Sequence, residues 1–290
     1  MNLHHAQPVF VGALAMALAV ALGIPTHARA GTICTDTVFV DGFDGGLRSL
    51  GRAHAGLGAT LAAVTDGLDI YTLDVQEPGT LTLVGSSQGS VFHLAFADGN
   101  FGRVFGLAED FSVSPDLLAT IRLSDAAIAP IGKAAPHDGA WMGMKQDPVS
   151  GAFYAISSCP SSSTLYTIDR NTAAPQPVGE VVGIDCAGSI AIDAQGDMYT
   201  IDPVSDELFA IDRNSLNASP IGPIGFDAGE FDMDFDEAAG VLYVAGYNNS
   251  AHRAEVRTVD PQSGASALVG ALPIDFVSGF AIANEVVCSP

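Results

Sequence analysis

The chain has 290 residues, of which 33 are Asp or Glu and 11 are Lys or Arg, a formal net charge of −22. Such a surface disfavours nucleic acid and anionic membrane, both of which need a positive patch, and it suits basic partners or divalent cations. One large domain of this size buries about three-quarters of its unfolded surface.

Residues 1–30 read as a secretory signal peptide. A nearly unbroken apolar run from Val9 to Ile24 is followed by Pro25 and the small-x-small site Ala28-Arg29-Ala30. Its removal leaves 33 acidic against 10 basic residues, because Arg29 is the only charged residue it takes away. The mature chain is therefore expected outside the cytoplasm, periplasmic or extracellular. In that setting four cysteines (Cys34, Cys159, Cys186 and Cys288) suggest two disulfides, with three possible connectivities. The favoured pairs are Cys34–Cys288, which would tie the two ends of the chain, and Cys159–Cys186. No CxxC spacing supports zinc.

Residues 31–58 form a Gly- and Asp-rich lead-in arm, including Val38-Phe39-Val40-Asp41-Gly42-Phe43-Asp44-Gly45-Gly46. From residue 59 to 290 a repeat takes over. One strand recurs as Ile70–Asp74, Leu118–Arg122, Leu165–Asp169, Leu208–Asp212 and Val256–Asp260, with steps of 48, 47, 43 and 48 between final residues. The next strand ends each time in an apolar residue and glycine, at Gly85, Gly132, Gly179, Gly222 and Gly270. Gly188 to Gly222 shows the whole unit: four short apolar-alternating runs (SIAI, DMYTI, ELFAI, ASPI) separated by turn-forming clusters. Four strands per 43–48 residues is the period of an all-β propeller, whose sheets must stack around an axis to bury both faces.

The first copy has only three clear strands, and the chain's end supplies a spare one, Gly279–Ala283. Pairing the two closes a ring of five blades, with six as the alternative if the lead-in contributes. The LYTID…VG repeat, with a first strand such as GSIAID, resembles secreted bacterial propellers of the YVTN and quinoprotein-like type over residues 59–284. That resemblance implies a fold and leaves activity open.

Eight aspartates recur in turns and read as turn formers that bond their own backbone: Asp98, Asp147, Asp193, Asp236, Asp74, Asp169, Asp212 and Asp260. Another set, Asp138, Asp185, Asp227 and Asp275, falls in the linkers between blades. Two readings stand for them. They ring the channel mouth as a site for a divalent cation or cationic ligand, calcium suiting oxygen-only ligands, or each caps its own loop. His137 and Trp141 lie beside Asp138 and complete the candidate ligand site. In Phe231-Asp232-Met233-Asp234-Phe235-Asp236, period two puts the aromatics and Met on one face. Asp232 and Asp234 then line the channel, where they need water, a metal or a base such as Lys145. Ser87 in Gly85-Ser86-Ser87-Gln88-Gly89 matches a nucleophile elbow in letters, but a strand follows where a helix is required. His93 is a further base or ligand candidate.

The function expected is a non-catalytic binding or scaffold protein, with an unidentified protein or small molecule as partner and a cation at the channel mouth. The alternative is a metal-dependent hydrolase or lactonase using an axial pocket.

Overall fold

The computed structural model describes residues 60–284 apart from 88, 111–113, 137–138 and 160–161. The expected signal peptide, lead-in arm, Cys34, Cys288, His137 and Asp138 lie outside the described residues. No helix occurs among the described residues, which form twenty strands. In chain order, blade 1 takes β1 (Leu61–Thr65), β2 (Asp69–Asp74) and β3 (Thr82–Ser86). Blade 2 takes β4 (Ser90–Ala95), β5 (Arg103–Asp110), β6 (Ser114–Arg122) and β7 (Ile128–Lys133). Blade 3 takes β8 (Ala140–Gln146), β9 (Phe153–Cys159), β10 (Ser162–Ile168) and β11 (Pro175–Val181). Blade 4 takes β12 (Ala191–Ile192), β13 (Met198–Asp202), β14 (Glu207–Asp212) and β15 (Asn217–Pro223). Blade 5 takes β16 (Ala228–Asp236), β17 (Val241–Asn248), β18 (Arg253–Val259) and β19 (Ser266–Ala271), and β20 (Gly279–Ile282) returns to blade 1.

Each blade is a four-stranded antiparallel sheet, and blade 1 runs β20-β1-β2-β3. The closing ladder pairs Ala62 with Ile282, Val64 with Phe280 and Thr65 with Gly279. Around the axis the innermost strands pack in a complete cycle: β20 on β4, β4 on β8, β8 on β12, β12 on β16, and β16 on β20. The fold is a five-bladed β-propeller closed by the chain's last described strand.

Alternation explains the apolar density. A blade is covered on both faces, so successive residues of one strand enter two different interfaces. In β14, Leu208 packs with Met233 and Phe235 of blade 5, while Phe209 and Ile211 pack with Ile156 and Leu165 of blade 3. Five hydrophobic clusters result, one per blade interface. The one across the seam joins Val64, Phe280 and Ile282 of blade 1 to Tyr243, Ala245 and Val256 of blade 5.

The apolar-Gly marker has a structural cause. In every blade the ladder between the third and fourth strands slips at one place, opposite Ile70/Tyr71, Leu118/Ala119, Leu165/Tyr166, Leu208/Phe209 and Val256/Arg257. The residue left unpaired is Val84, Ile131, Val178, Ile221 or Val269, a β-bulge in each outer strand. The glycine after it abuts the next blade's turn. A Cβ on Gly132 would stand 2.7 Å from Thr172 O, and one on Gly270 would stand 2.8 Å from Pro78 Cγ. Gly222 meets Ser263 O in the same way. The contact between Gly270 and Pro78 runs from blade 5 to blade 1, so the seam repeats what the continuous chain does elsewhere.

The turn aspartates behave as expected. Asp169 Oδ1 accepts from Asn171 N and Thr172 N, Asp212 Oδ1 from Asn214 N and Ser215 N, and Asp260 Oδ1 from Gln262 N. These amides hold the Asp169 and Asp212 carboxyls below the usual carboxylate range, and at Asp260 the Ser263 hydroxyl does so, followed by the Gln262 amide. Asp98 departs from the pattern. Its backbone is left-handed (φ 54°), and its carboxylate bonds Gln146 and Arg170 of blade 3.

Candidate functional site

β16 delivers what its period-two pattern promises. Phe231, Met233 and Phe235 enter the interface with blade 4, and Asp232 and Asp234 face the axis. Asp232 is fully buried, with Lys145 Nζ 3.1 Å from both of its carboxylate oxygens. The same ammonium donates to Leu94 O at 2.7 Å and Phe280 O at 3.1 Å. Asp232 in turn accepts from Ser189 Oγ (2.7 Å) and Phe280 N (2.9 Å). Groups from all five blades therefore meet at one ion pair: Phe280 of blade 1, Leu94 of blade 2, Lys145 of blade 3, Ser189 leading into blade 4, and Asp232 of blade 5. β12 has only two residues, and Ser189 lies just before it. Ser189 turns its hydroxyl to Asp232, and its carbonyl accepts from Thr200 Oγ1 instead of joining the ladder.

Asp234 holds the closing strand one step further along, accepting from Ile282 N at 2.9 Å. Burial pushes its carboxyl up to about 6. Beyond it Glu237, half-buried, is pushed up to about 7 by burial and by Asp234, Asp236, Asp147 and Asp193. Its amide donates to Asn284 Oδ1, which fixes the chain as it leaves the ring. Above the ion pair, His93 has a left-handed backbone (φ 51°) and donates its amide to Ser278 O. Its Nε2 lies 2.9 Å from Trp141 O, so that nitrogen carries the proton. Nδ1 is a shielded acceptor with no partner among the described residues, and burial lowers the imidazole's basicity.

Three of the four linker carboxylates lie within the described residues. Asp227 accepts from Asn249 Nδ2 (2.9 Å) and Ser250 Oγ (3.4 Å) in the β17–β18 turn. Asp185 and Asp275 are exposed on their linkers. Among the described residues, no three or more His, Cys, Asp or Glu side chains come together as a metal-holding group. Trp141 is 5% exposed, packs edge-on against Tyr166, and donates its indole N–H to Ala134 O. Ser87 donates its hydroxyl to Leu68 O and Gly89 O, and strand β4 follows it. Among the described residues Cys186 forms no disulfide and lies half-buried with its thiol 3.5 Å from Ser158 Oγ, and the side chain of its expected partner Cys159 lies outside the description.

Open space lies to one side of the axis, on the face carrying the inter-blade linkers. A cleft of about 590 Å³ is lined by Asp66, Asp69, Tyr71, Ser87, Asp275 and Phe276, among others. A second, of about 380 Å³, is lined by Glu230, Tyr247, His252, Asp275 and Phe276. The loop carrying Asp275 and Phe276 is their common wall. Of these residues the sequence singles out two, Asp275 as a linker carboxylate and Ser87 as the serine of an elbow-like segment. Asp66 and Asp69 flank the tight β1–β2 turn, as Asp202 and Asp206 flank the equivalent β13–β14 turn of blade 4, so in the sequence they are indistinguishable from turn formers.

The protein belongs to the β-propeller class by its fold. No family model matches the sequence, and no curated protein matches it. A chain in the crystal structure of a nidogen/laminin complex superposes with a TM-score of 0.52 at 12% identity, covering 79% of this chain and 99% of that one. A crystal structure of a protein of unknown function from Bacteroides caccae gives a TM-score of 0.48 at 9% identity, covering 78% and 99%. At these identities the likeness is one of fold alone. A propeller supports a binding or scaffold role in general.

Proposed function

We propose that this is an exported, non-catalytic binding protein that holds a partner on its linker face, at the seam between blades 5 and 1. The observation that carries the reading is the filled axis. Where a propeller enzyme would keep a pocket with reactive groups converging in it, Lys145 and Asp232 neutralise each other, and the hydrogen-bonding capacity of both is used. The open clefts lie elsewhere, against the Asp275–Phe276 loop. Export is supported by the signal-peptide pattern and by the repeat's resemblance to secreted propellers. The nidogen/laminin likeness adds that a chain of this shape occurs in a protein–protein complex.

The test is a retention assay with immobilised protein and the exported proteins of the producing cell. Saturable retention is expected, and it should be lost in Phe276→Lys while the variant's melting temperature is kept. Absence of retention, or retention indifferent to Phe276→Lys, overturns the reading.

A further inference from the structure

We propose that the two clefts are one bipartite site for a basic segment of a partner protein, an extended stretch that places one Lys or Arg side chain in each lobe. This rests on the binding reading above and names its partner chemistry.

Each lobe combines carboxylates with an aromatic ring. The larger offers Asp66, Asp69 and Asp275 beside Tyr71, the smaller offers Glu230 and Asp275 beside Tyr247, and Phe276 stands in the wall between them. Among the described residues, no Lys or Arg forms an ion pair with any of these four carboxylates, although Asp98, Asp147, Asp232 and Glu255 are all paired. The larger lobe is held in place. The Tyr71 hydroxyl lies 3.3 Å from both Asp66 and Asp69, and Asp69 also accepts from Ser86 Oγ. Burial and the two neighbouring carboxylates push Tyr71 up to about 12, so the phenol stays a neutral donor. Asp66 Oδ1 is fixed by the amides of Leu68 and Asp69.

Carboxylate beside ring is the chemistry that receives ammonium and guanidinium groups, through charge and through the ring face. This fold already uses it internally. Arg257 sits 4.7 Å over the Phe226 ring with Nη1 3.1 Å from Glu255. The presence of two such lobes sharing one wall favours a chain bearing two cations over a lone cation. Leu68, 52% exposed, adds apolar surface for the stems of long basic side chains.

The experiment titrates labelled tetralysine and tetraarginine peptides against the whole protein at physiological salt, with tetraglutamate as the control for sign. Saturable one-to-one binding of the basic peptides is expected. Asp69→Asn with Asp275→Asn should weaken it at least about tenfold, the loss of two charge-assisted contacts. Glu77→Gln with Glu180→Gln makes the same charge change away from the clefts and should leave affinity within about twofold. Asp275→Asn alone, on an exposed loop, serves if the double variant does not fold, and it too should weaken binding. No binding, an equal loss in both double variants, or lysine amide competing as well as tetralysine overturns the proposal. If Phe276-dependent retention persists while the basic peptides fail, only this inference falls. If both fail, the binding reading falls with it.

Discussion

Replacing Lys145 with Met is expected to lower stability by about 3–5 kcal/mol, because it strands Asp232 as an uncompensated charge at zero exposure. For a domain of this size that is a fall in Tm of about 6–20 °C. A simple buried pair would be relieved by removing both partners, since well-packed apolar replacements are often neutral. Here the second replacement, Asp232→Leu, is not expected to restore the melt. Lys145 also serves Leu94 O and Phe280 O, and Asp232 serves Phe280 N and Ser189 Oγ. The double variant leaves those groups buried without partners, at about 1–3 kcal/mol each. Thermal melts of the two single variants and the double decide between a keystone and an ordinary ion pair. A double variant as stable as wild type would show the pair to be ordinary.

Removing residues 278–290 is expected to abolish cooperative folding. β20 contributes more than one strand. Phe280 and Ile282 fill the cluster between blades 1 and 5, while Ala281 fills the one between blades 1 and 2. Its absence leaves β1 as an open inner edge and takes one amide partner each from Asp232 (Phe280 N) and Asp234 (Ile282 N). The shortened chain should appear in insoluble material or lack a calorimetric transition. A soluble fragment melting like the full chain would contradict the role given to this strand.

The fold was legible because burial on both faces forces a short repeat to keep its alternation in every copy. LYTID and its relatives fix the third strand, and the three-strand first copy with a spare strand at the end implies closure. The apolar-Gly marker was read as a strand end. It is instead a bulge, and only the neighbouring blade's turn, from Thr172 beside Gly132 to Pro78 beside Gly270, explains why glycine is needed. The axial cluster was half legible. Period two sent Asp232 and Asp234 inward, and Lys145 was named as a possible base. Ser189 and the backbone groups of Leu94, Phe280 and Ile282 could not be assigned, since their roles depend on which blade ends face one another. The linker aspartates look alike in sequence, yet Asp227 is tied to Asn249 and Ser250 while Asp275 borders open clefts. Linker length and turn conformation separate them, and neither follows from residue type.

Closure of the ring by β20 is tested most directly by native-state amide hydrogen exchange at Phe280 and Ile282. Both amides should exchange only through global unfolding, with the protection of the slowest amides in the inner strands. Exchange at the pace of a solvent-exposed loop, while β8 and β16 stay protected, would mean that the tail does not close the ring.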